Sequence, residues 1–574
     1  MMMDYQSLNP QSLVIRPLTK GMITNIPTQM IPPGGGLHVY NFDVETIGLR
    51  TSSQWKPFQN PPDFGRLPLL AGEYITDVIP FYMIGGGRQI VALTNRRLLK
   101  TADGKEWLPV QKAGTPPSDF YFNTTKPFVV QWAASVTELF FVDGTTTTGI
   151  MVYDGYFLRR EEPLDENDNP VFNGAVTIAF VSGRLVVGNT GEAGGQQRVR
   201  WSSAIPGNQF SFSQLDFVDL TQLRGVVQKI TAYEEYPVVF TDDGIYFGQP
   251  YGYDAEFAAA WIFRPLESGG NSIIGPRAFS RVLGGICFAG RDDFFYINAL
   301  KRTEKGDFSI ESMKCPILRE TIRATDIVKS NTTMIFDSHH KRLIVGMGTN
   351  PTVASINRFC SYYPETNAWS TFGVQIPEIT SMQDISTAVS RRWMDVPGVS
   401  WGDYIADTNG SWYSELSGFS AAKVIASSSD GILYIMLNNL GTTSVVVGSE
   451  TVTQTFTAIF ETGDIDLDTP DNNKVAFKLA ARIGNTEFTR TVPIAFEVFG
   501  SNTKGRTWKR LGTVRIDPDE DEEEIHFRLH GTNLRFRLEF RSNDPELKPF
   551  NLEEITIRLR GGGQQVVRNT AGEE

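Results

Sequence analysis

Short apolar runs, mostly β-branched and aromatic, recur along the chain between Gly, Asp and Asn turns. Residues 89–93, 138–142, 184–188, 237–241, 285–289 and 342–346 are six of them, and Arg184-Leu185-Val186-Val187-Gly188 is representative. Runs of this composition and length, bounded by turn formers, read as strands. Many lead into a tight turn and a second run. Asp103-Gly104, Asp154-Gly155, Asp243-Gly244, Asp292-Asp293 and Asp430-Gly431 are the turns, and Phe294-Phe295-Tyr296-Ile297 is a typical following run. Asp-Gly suits a hairpin because both residues tolerate positive φ. Apolar stripes at helical spacing are nearly absent, so helix should fall well below the ~30–35% usual in globular proteins.

The runs recur every ~40–55 residues, the length of a four-stranded propeller blade. Blades are expected near residues 70–110, 125–165, 175–220, 225–268, 272–318 and 325–376, with 380–445 a further blade or a closing segment. The expected fold class is all-β, with a β-propeller-like domain of about six blades over residues 67–445. Two stacked sandwiches are the alternative arrangement of the same strands. Later segments alternate for longer, at 444–460, 474–498 and 524–540, and Ile555-Thr556-Ile557-Arg558-Leu559-Arg560 closes the set. Residues 446–560 therefore read as an appended C-terminal β-sandwich of about eight strands. Residues 1–66 read as irregular apart from a strand at 37–42, because Ile31-Pro32-Pro33-Gly34-Gly35-Gly36 lacks amide donors and favours turns. That segment is expected to make assembly contacts. Residues 561–574 form a polar tail, expected to be disordered.

Composition narrows the function. The 53 glycines and 31 prolines are scattered among the runs, and the apolar fraction of 41% is ample for sizeable cores. No stretch of 18 apolar residues exists, so no membrane-spanning helix is expected. The N-terminus carries no basic region followed by an apolar stretch, and no secretory signal is expected. Cys287, Cys315 and Cys360 are widely spaced and suggest synthesis in a reducing cytoplasm. The net charge of −12, without a dense Lys/Arg run, argues against a module that grips nucleic acid. It is compatible with a surface past which DNA slides.

Candidate chemistry is sparse. The five histidines are His38, His339, His340, His526 and His530, and none lies near a nucleophile-elbow turn. His526 and His530 share one face of a strand and could pair on a metal, but their flanks alternate like a surface strand, so no metal site is expected. Gly85-Gly86-Gly87-Arg88 precedes a strand, where a phosphate cradle would need a helix N-terminus. The segment 501–508, from Ser501 to Trp508, resembles the Asp-box of sialidases and related propellers, with Thr503 where the aspartate belongs. The segment 101–107 is a looser version. The motif is a hairpin-folding device, remote from catalysis. In Arg198-Val199-Arg200-Trp201-Ser202 the arginines share one strand face, and the expected arrangement is Trp201 in the core and the arginines in solvent. The acidic block 517–524 reads as a solvated loop. No catalytic, cofactor-binding or metal-binding residue is assigned, and no cofactor is expected.

The order of these features resembles the packaged-DNA stabilisation proteins of short-tailed phages and, more broadly, tail hub and nozzle proteins. The resemblance rests on the 198–202 strand leading through Pro206-Gly207-Asn208 to Phe210, the segment 460–467, the 501–508 hairpin, and 535–540 followed by 555–558. It implies a non-enzymatic structural virion protein of the tail. Such a protein assembles as a homohexameric ring against adaptor or other tail proteins, and retains and conducts double-stranded DNA during ejection. The rival expectation is a carbohydrate-binding or sialidase-like propeller.

Overall fold

Among the described residues, seven successive, mainly antiparallel sheet units occupy the chain between Ile75 and Leu437 in the computed structural model. It describes residues 11–561 except 25–27, 33, 60–63, 83–87, 103, 105, 113–121, 123–129, 136, 204–210, 223–224, 235, 255–256, 267–270, 283, 292, 303–307, 314–327, 339, 350–354, 377, 385–423, 438–440, 466–472 and 485–488. Each sheet is a blade. Their innermost strands are Ile75–Tyr82, Gln131–Ala134, Ala175–Val181, Val227–Tyr233, Phe279–Val282, Val328–Asp337 and Ile379–Asp384 for blades 1 to 7. Most of these strands pack directly on the next, and the last packs on the first. Hydrogen bonds from Trp132 to Asp77 and from Arg281 to Thr231 join the two remaining neighbours. The chain is an all-β propeller closed on itself, with an appended β-sandwich.

Local sequence explains the blades. In blade 3, Ala175–Val181 pairs with Arg184–Thr190 across a tight turn, with Phe180 opposite Leu185. Val186 and Val187 are fully buried on opposite faces of the second strand, as a strand between two neighbouring blades requires. Gly155 and Gly431 take positive φ at their hairpin turns. At Asp243-Gly244 the Thr241 hydroxyl instead accepts the Gly244 N–H at 3.1 Å.

The N-terminal segment is not irregular. Gln54–Pro57 pairs antiparallel with Leu433–Leu437 as the outer strand of blade 7, with Trp55 opposite Met436. Ile379–Asp384, Val424–Ser428 and Leu433–Leu437 therefore form a seventh blade completed from the other end of the chain. Upstream, Gln11–Ile15 pairs with Asn551–Gly561, placing Leu13 opposite Ile557. Phe42–Val44 and Leu49–Thr51 extend that same sandwich sheet, which also holds Lys474–Gly484 and Glu522–Gly531. Gly35–Tyr40 lies between the propeller and the sandwich. Tyr40 pairs in parallel with Thr371 of blade 6, and Val39 opposes Phe460 on its other side. Blade 6 and the second sandwich sheet thus form one ten-stranded sheet. These N-terminal strands are two to six residues long, and the expected strand at 37–42 falls on Gly35–Tyr40; most of their partners lie hundreds of residues away, as with Leu13 and Ile557 or Trp55 and Met436.

The sandwich core is aromatic: Phe496, Phe540 and Phe550 meet with ring centroids 5.0 to 5.9 Å apart. Burying one such side chain contributes roughly 1.5–3 kcal/mol. The alternating stretch 444–460 is two elements. Ser444–Val447 and Glu450–Thr453 form a separate hairpin, and the sandwich proper begins at Phe456–Thr462. Among the described residues no helix is long and apolar enough to cross a membrane.

Candidate functional site

The propeller axis is a half-enclosed cavity of about 580 Å3 to which all seven blades contribute lining. Its charged members are Asp77, Lys229, Arg277, Arg281 and Asp384. Asp77 sits on the inner strand of blade 1 among buried Ile75, Val78 and Ile79. Its carboxylate accepts from Trp132 Nε1 at 3.1 Å and from Arg277 and Gln383. Burial pushes the Asp77 carboxyl upward, and the Arg277 charge opposes this.

Lys229 sits on the inner strand of blade 4. Its Nζ donates to Gln131 Oε1 at 3.0 Å, and Thr177 Oγ1 donates to the same oxygen at 2.8 Å. The Phe279 ring centroid lies 5.5 Å from Nζ. Desolvation lowers the ammonium to about 7; Asp77 works against that shift, and Arg277 and Arg281 add to it. Arg281 points into the cavity, with Nη2 and Nε 3.2 and 3.4 Å from Thr231 Oγ1. Sequence reasoning missed this site because its members come from seven blades. The available signal was one charged residue inside an apolar inner-strand run, as at Asp77 and Lys229.

A second cluster joins the N-terminal segment to blade 6. Ser53 Oγ lies 3.1 Å from His340 Nε2, and His340 Nδ1 lies 2.6 Å from Asp337 Oδ2. These distances match a nucleophile, base and orienting acid. The surroundings are those of a joint. Arg342 Nε donates to Asp337 Oδ2 at 3.1 Å, and Nη1 of the same guanidinium bonds Asp43. Asp43 Oδ1 also accepts from Tyr363 OH at 2.9 Å. Burial raises the Asp337 carboxyl, but the bonds from His340 and the Arg342 charge outweigh it and hold the carboxyl well below the usual range. Ser53 and His340 line neither the axial cavity nor the groove between blades 5 and 6.

That groove, about 860 Å3, is walled by Cys287, Tyr296, Phe336 and Tyr362, with a Lys341–Glu365 ion pair of 2.8 Å at its edge. Cys287 and Cys360 are free and buried, and desolvation pushes both thiols up to about 12.

The motifs singled out from sequence are dispersed. Trp201 is in the core of blades 3 and 4, edge-on to Trp261 with centroids 5.7 Å apart. The arginines beside it are not in solvent. Arg200 is 2% exposed and chelates Glu192 with two bonds of 2.7 Å, while Arg198 reaches Glu192 at 2.9 Å and Asp219 at 2.7 Å. Both guanidiniums cover the Phe217 ring, 3.9 and 4.7 Å from its centroid. Opposite charges close at hand make this burial tolerable.

In the 501–508 hairpin, Ser501 Oγ accepts from the Thr503 and Gly505 amides, and Thr503 Oγ1 accepts from the Thr507 amide at 2.9 Å. Trp508 is half-buried beneath Arg537, 4.2 Å from its ring centroid. Trp107 of the looser copy is buried. His526 and His530 share a strand face, and Arg528 between them donates to His530 Nε2 at 2.8 Å. Among the described residues no group of three or more metal-ligating side chains occurs. The acidic block is a loop only to Asp521; Glu522, Glu523 and Glu524 begin the Glu522–Gly531 strand. Residues 85–87, Asp103, 206–208, Phe210, Asp292, Cys315, His339 and 562–574 lie outside the described residues.

The segments 460–465 and 535–540 pair with each other, Glu461 opposite Arg537. Arg537 Nη2 meets Glu461 Oε2 at 2.9 Å, and Arg535 Nε meets Asp464 Oδ1 at 2.5 Å.

No protein-family model and no curated protein sequence matches the chain. Among solved structures it is similar to U3-55K, at 9% identity over 67% of this chain and 98% of that one, with a TM-score of 0.34. It is similar to BamB from Moraxella catarrhalis, at 9% identity over 67% and 97% of the two chains, TM-score 0.27. It is also similar to an exo-β-1,3-galactanase from Phanerochaete chrysosporium, at 8% identity over 78% and 98%, TM-score 0.23.

Proposed function

We propose that the chain is a structural virion protein of a phage tail, in a hub, nozzle or head-completion role. Copies form a closed ring, six in the family it resembles, which contacts adaptor or other tail proteins and through which the genome is retained and then conducted. The observation that carries this reading is the bracing of the molecule by its own N-terminus: residues 11–57 complete blade 7, bridge blade 6 to the sandwich and extend both sandwich sheets. Propeller and sandwich are thereby held as one unit, as a ring under ejection forces needs. The carboxylates of Asp77, Glu192 and Asp337 are held in internal networks.

Exposed apolar side chains supply contact surface. Leu108, Tyr156 and Phe157 project from blades 1 and 2, and Val447 and Val452 from the 444–453 hairpin. Two distinct patches suit a ring, whose interface joins different faces of successive copies. The net charge of −12 suits a wall along which duplex slides. The test is a mobility assay with duplex DNA across salt concentrations, run beside a glycoside-hydrolysis screen. Weak DNA binding and no turnover are expected. Sub-micromolar affinity with a steep salt slope would indicate a clamp, and turnover abolished by one carboxylate substitution would establish the carbohydrate-active rival.

A further inference from the structure

We propose that the axial cavity of the propeller is a binding site for a small oxyanion, a sulfate-, phosphate- or carboxylate-bearing molecule, held by Arg281 and Lys229. The inference is independent of the ring.

It begins with charge. Three cations, Lys229, Arg277 and Arg281, face the cavity with two carboxylates, Asp77 and Asp384. Asp77 is already engaged by Arg277, Gln383 and Trp132. Asp384 accepts from Ser338 Oγ at 3.3 Å. The bonds of Lys229 and Arg281 go to neutral oxygens, the Gln131 amide and the Thr231 hydroxyl. Lys229 is buried with neutral partners, which is costly, and a counter-ion removes much of that cost. An anion seated beside Arg281 and Lys229 would supply the missing charge.

Space and access agree with this. The cavity, about 580 Å3, is the size of a small-molecule site and open at one side. Arg281 presents an exposed side chain to that space while the surrounding blades desolvate it, which lowers its pKa. A guanidinium so placed offers several N–H donors in one plane, matching a carboxylate, sulfate or phosphate. Trp132, Phe180, Phe279 and Phe336 give the walls flat apolar surface, so an oxyanion carrying an aromatic ring fits as well as an inorganic one.

Binding would also move a proton. Lys229, lowered to about 7 by burial, is only partly protonated near neutral pH, and an anion at its side favours the charged form. The other titratable groups facing it are Asp77, Asp384, Arg277 and Arg281. The arginines stay charged near neutral pH. Asp77, whose carboxyl burial pushes upward, is a second group that an added anion would favour in its protonated form. The loss of proton uptake in Lys229→Met is what assigns the uptake to Lys229.

The experiment is isothermal titration calorimetry of the full chain at pH 7, with sodium sulfate and with sodium benzoate, in two buffers of different ionisation enthalpy. Sulfate does not titrate in this range. Saturable binding with proton uptake is expected. Arg281→Met should weaken it by about tenfold or more, the loss of one charge-assisted contact. Lys229→Met should abolish the proton uptake. Tighter sulfate binding would point to phosphate- or sulfate-bearing ligands, and tighter benzoate binding to aromatic carboxylates. Failure of both anions to bind saturably overturns the proposal. So does binding unchanged by Arg281→Met in a variant that melts like the parent. If that variant does not fold, Arg281→Gln, able to keep a bond to Thr231, takes its place under the same criterion.

Discussion

Arg342 of blade 6 and Asp43 of the N-terminal segment, 299 residues apart in sequence, form a buried ion pair. The same guanidinium holds Asp337, and its remaining nitrogen lies 2.8 Å from Met436 Sδ of blade 7. One side chain therefore fixes the N-terminal segment against two blades, at the place where Gln54–Pro57 goes on to close the propeller.

Removing that side chain strands two carboxylates in the interior. Arg342→Ala is expected to destabilise the chain by about 3–5 kcal/mol, the usual cost of breaking a buried pair from one side. Urea denaturation followed by circular dichroism measures it. A midpoint unchanged from the parent would show that the joint contributes nothing.

The same joint should be sensitive to acid. The Asp337 carboxyl lies below its ordinary range when folded and near ~3.9 when unfolded, so around that pH the unfolded chain binds more protons. Its contribution is fully present above about pH 5 and is lost as the pH falls through ~4 and lower. Melting temperatures from pH 7 to pH 3 should fall less steeply for Asp337→Asn than for the parent. Parallel curves would contradict this.

Lys229 carries the opposite sign. Its folded pKa is lowered, so keeping it charged costs stability below about 7, and the cost eases as the pH rises from there toward the unfolded value near ~10.4. Lys229→Met should raise the melting temperature more at pH 6 than at pH 9. A gain that is larger at pH 9 would overturn the assignment.

Trp201 packs against Trp261 between blades 3 and 4. Trp201→Ala should cost about 3–5 kcal/mol through the cavity it leaves. An unchanged denaturation midpoint would show that the neighbouring rings collapse into the space.

The propeller was legible because most blades are local hairpin stacks. Runs such as 184–188 and 237–241 lie within the observed strands, and their partners follow a few residues later. Of the N-terminal strands only the one at 37–42 was legible, as Gly35–Tyr40. Gln54–Pro57 has four residues and a terminal proline, and its partner is Leu433–Leu437. Arg200 was misplaced for a related reason. Alternation puts it on the face away from Trp201, but Glu192 and Phe217 cover that face, and neither is visible in the strand's own pattern. The axial cluster was hidden by dispersion, since Asp77, Lys229 and Arg281 become neighbours only when the ring of blades closes.

The ring is the central claim. Light-scattering mass, combined with negative-stain images of the purified chain, tests it most directly, alone and with its tail neighbours added. The account predicts a multiple of the single-chain mass and annular particles with a central opening. It also predicts that Tyr156→Asp together with Phe157→Asp returns the protein to single folded chains. Monomers under every condition, in a protein that melts cooperatively, would contradict it.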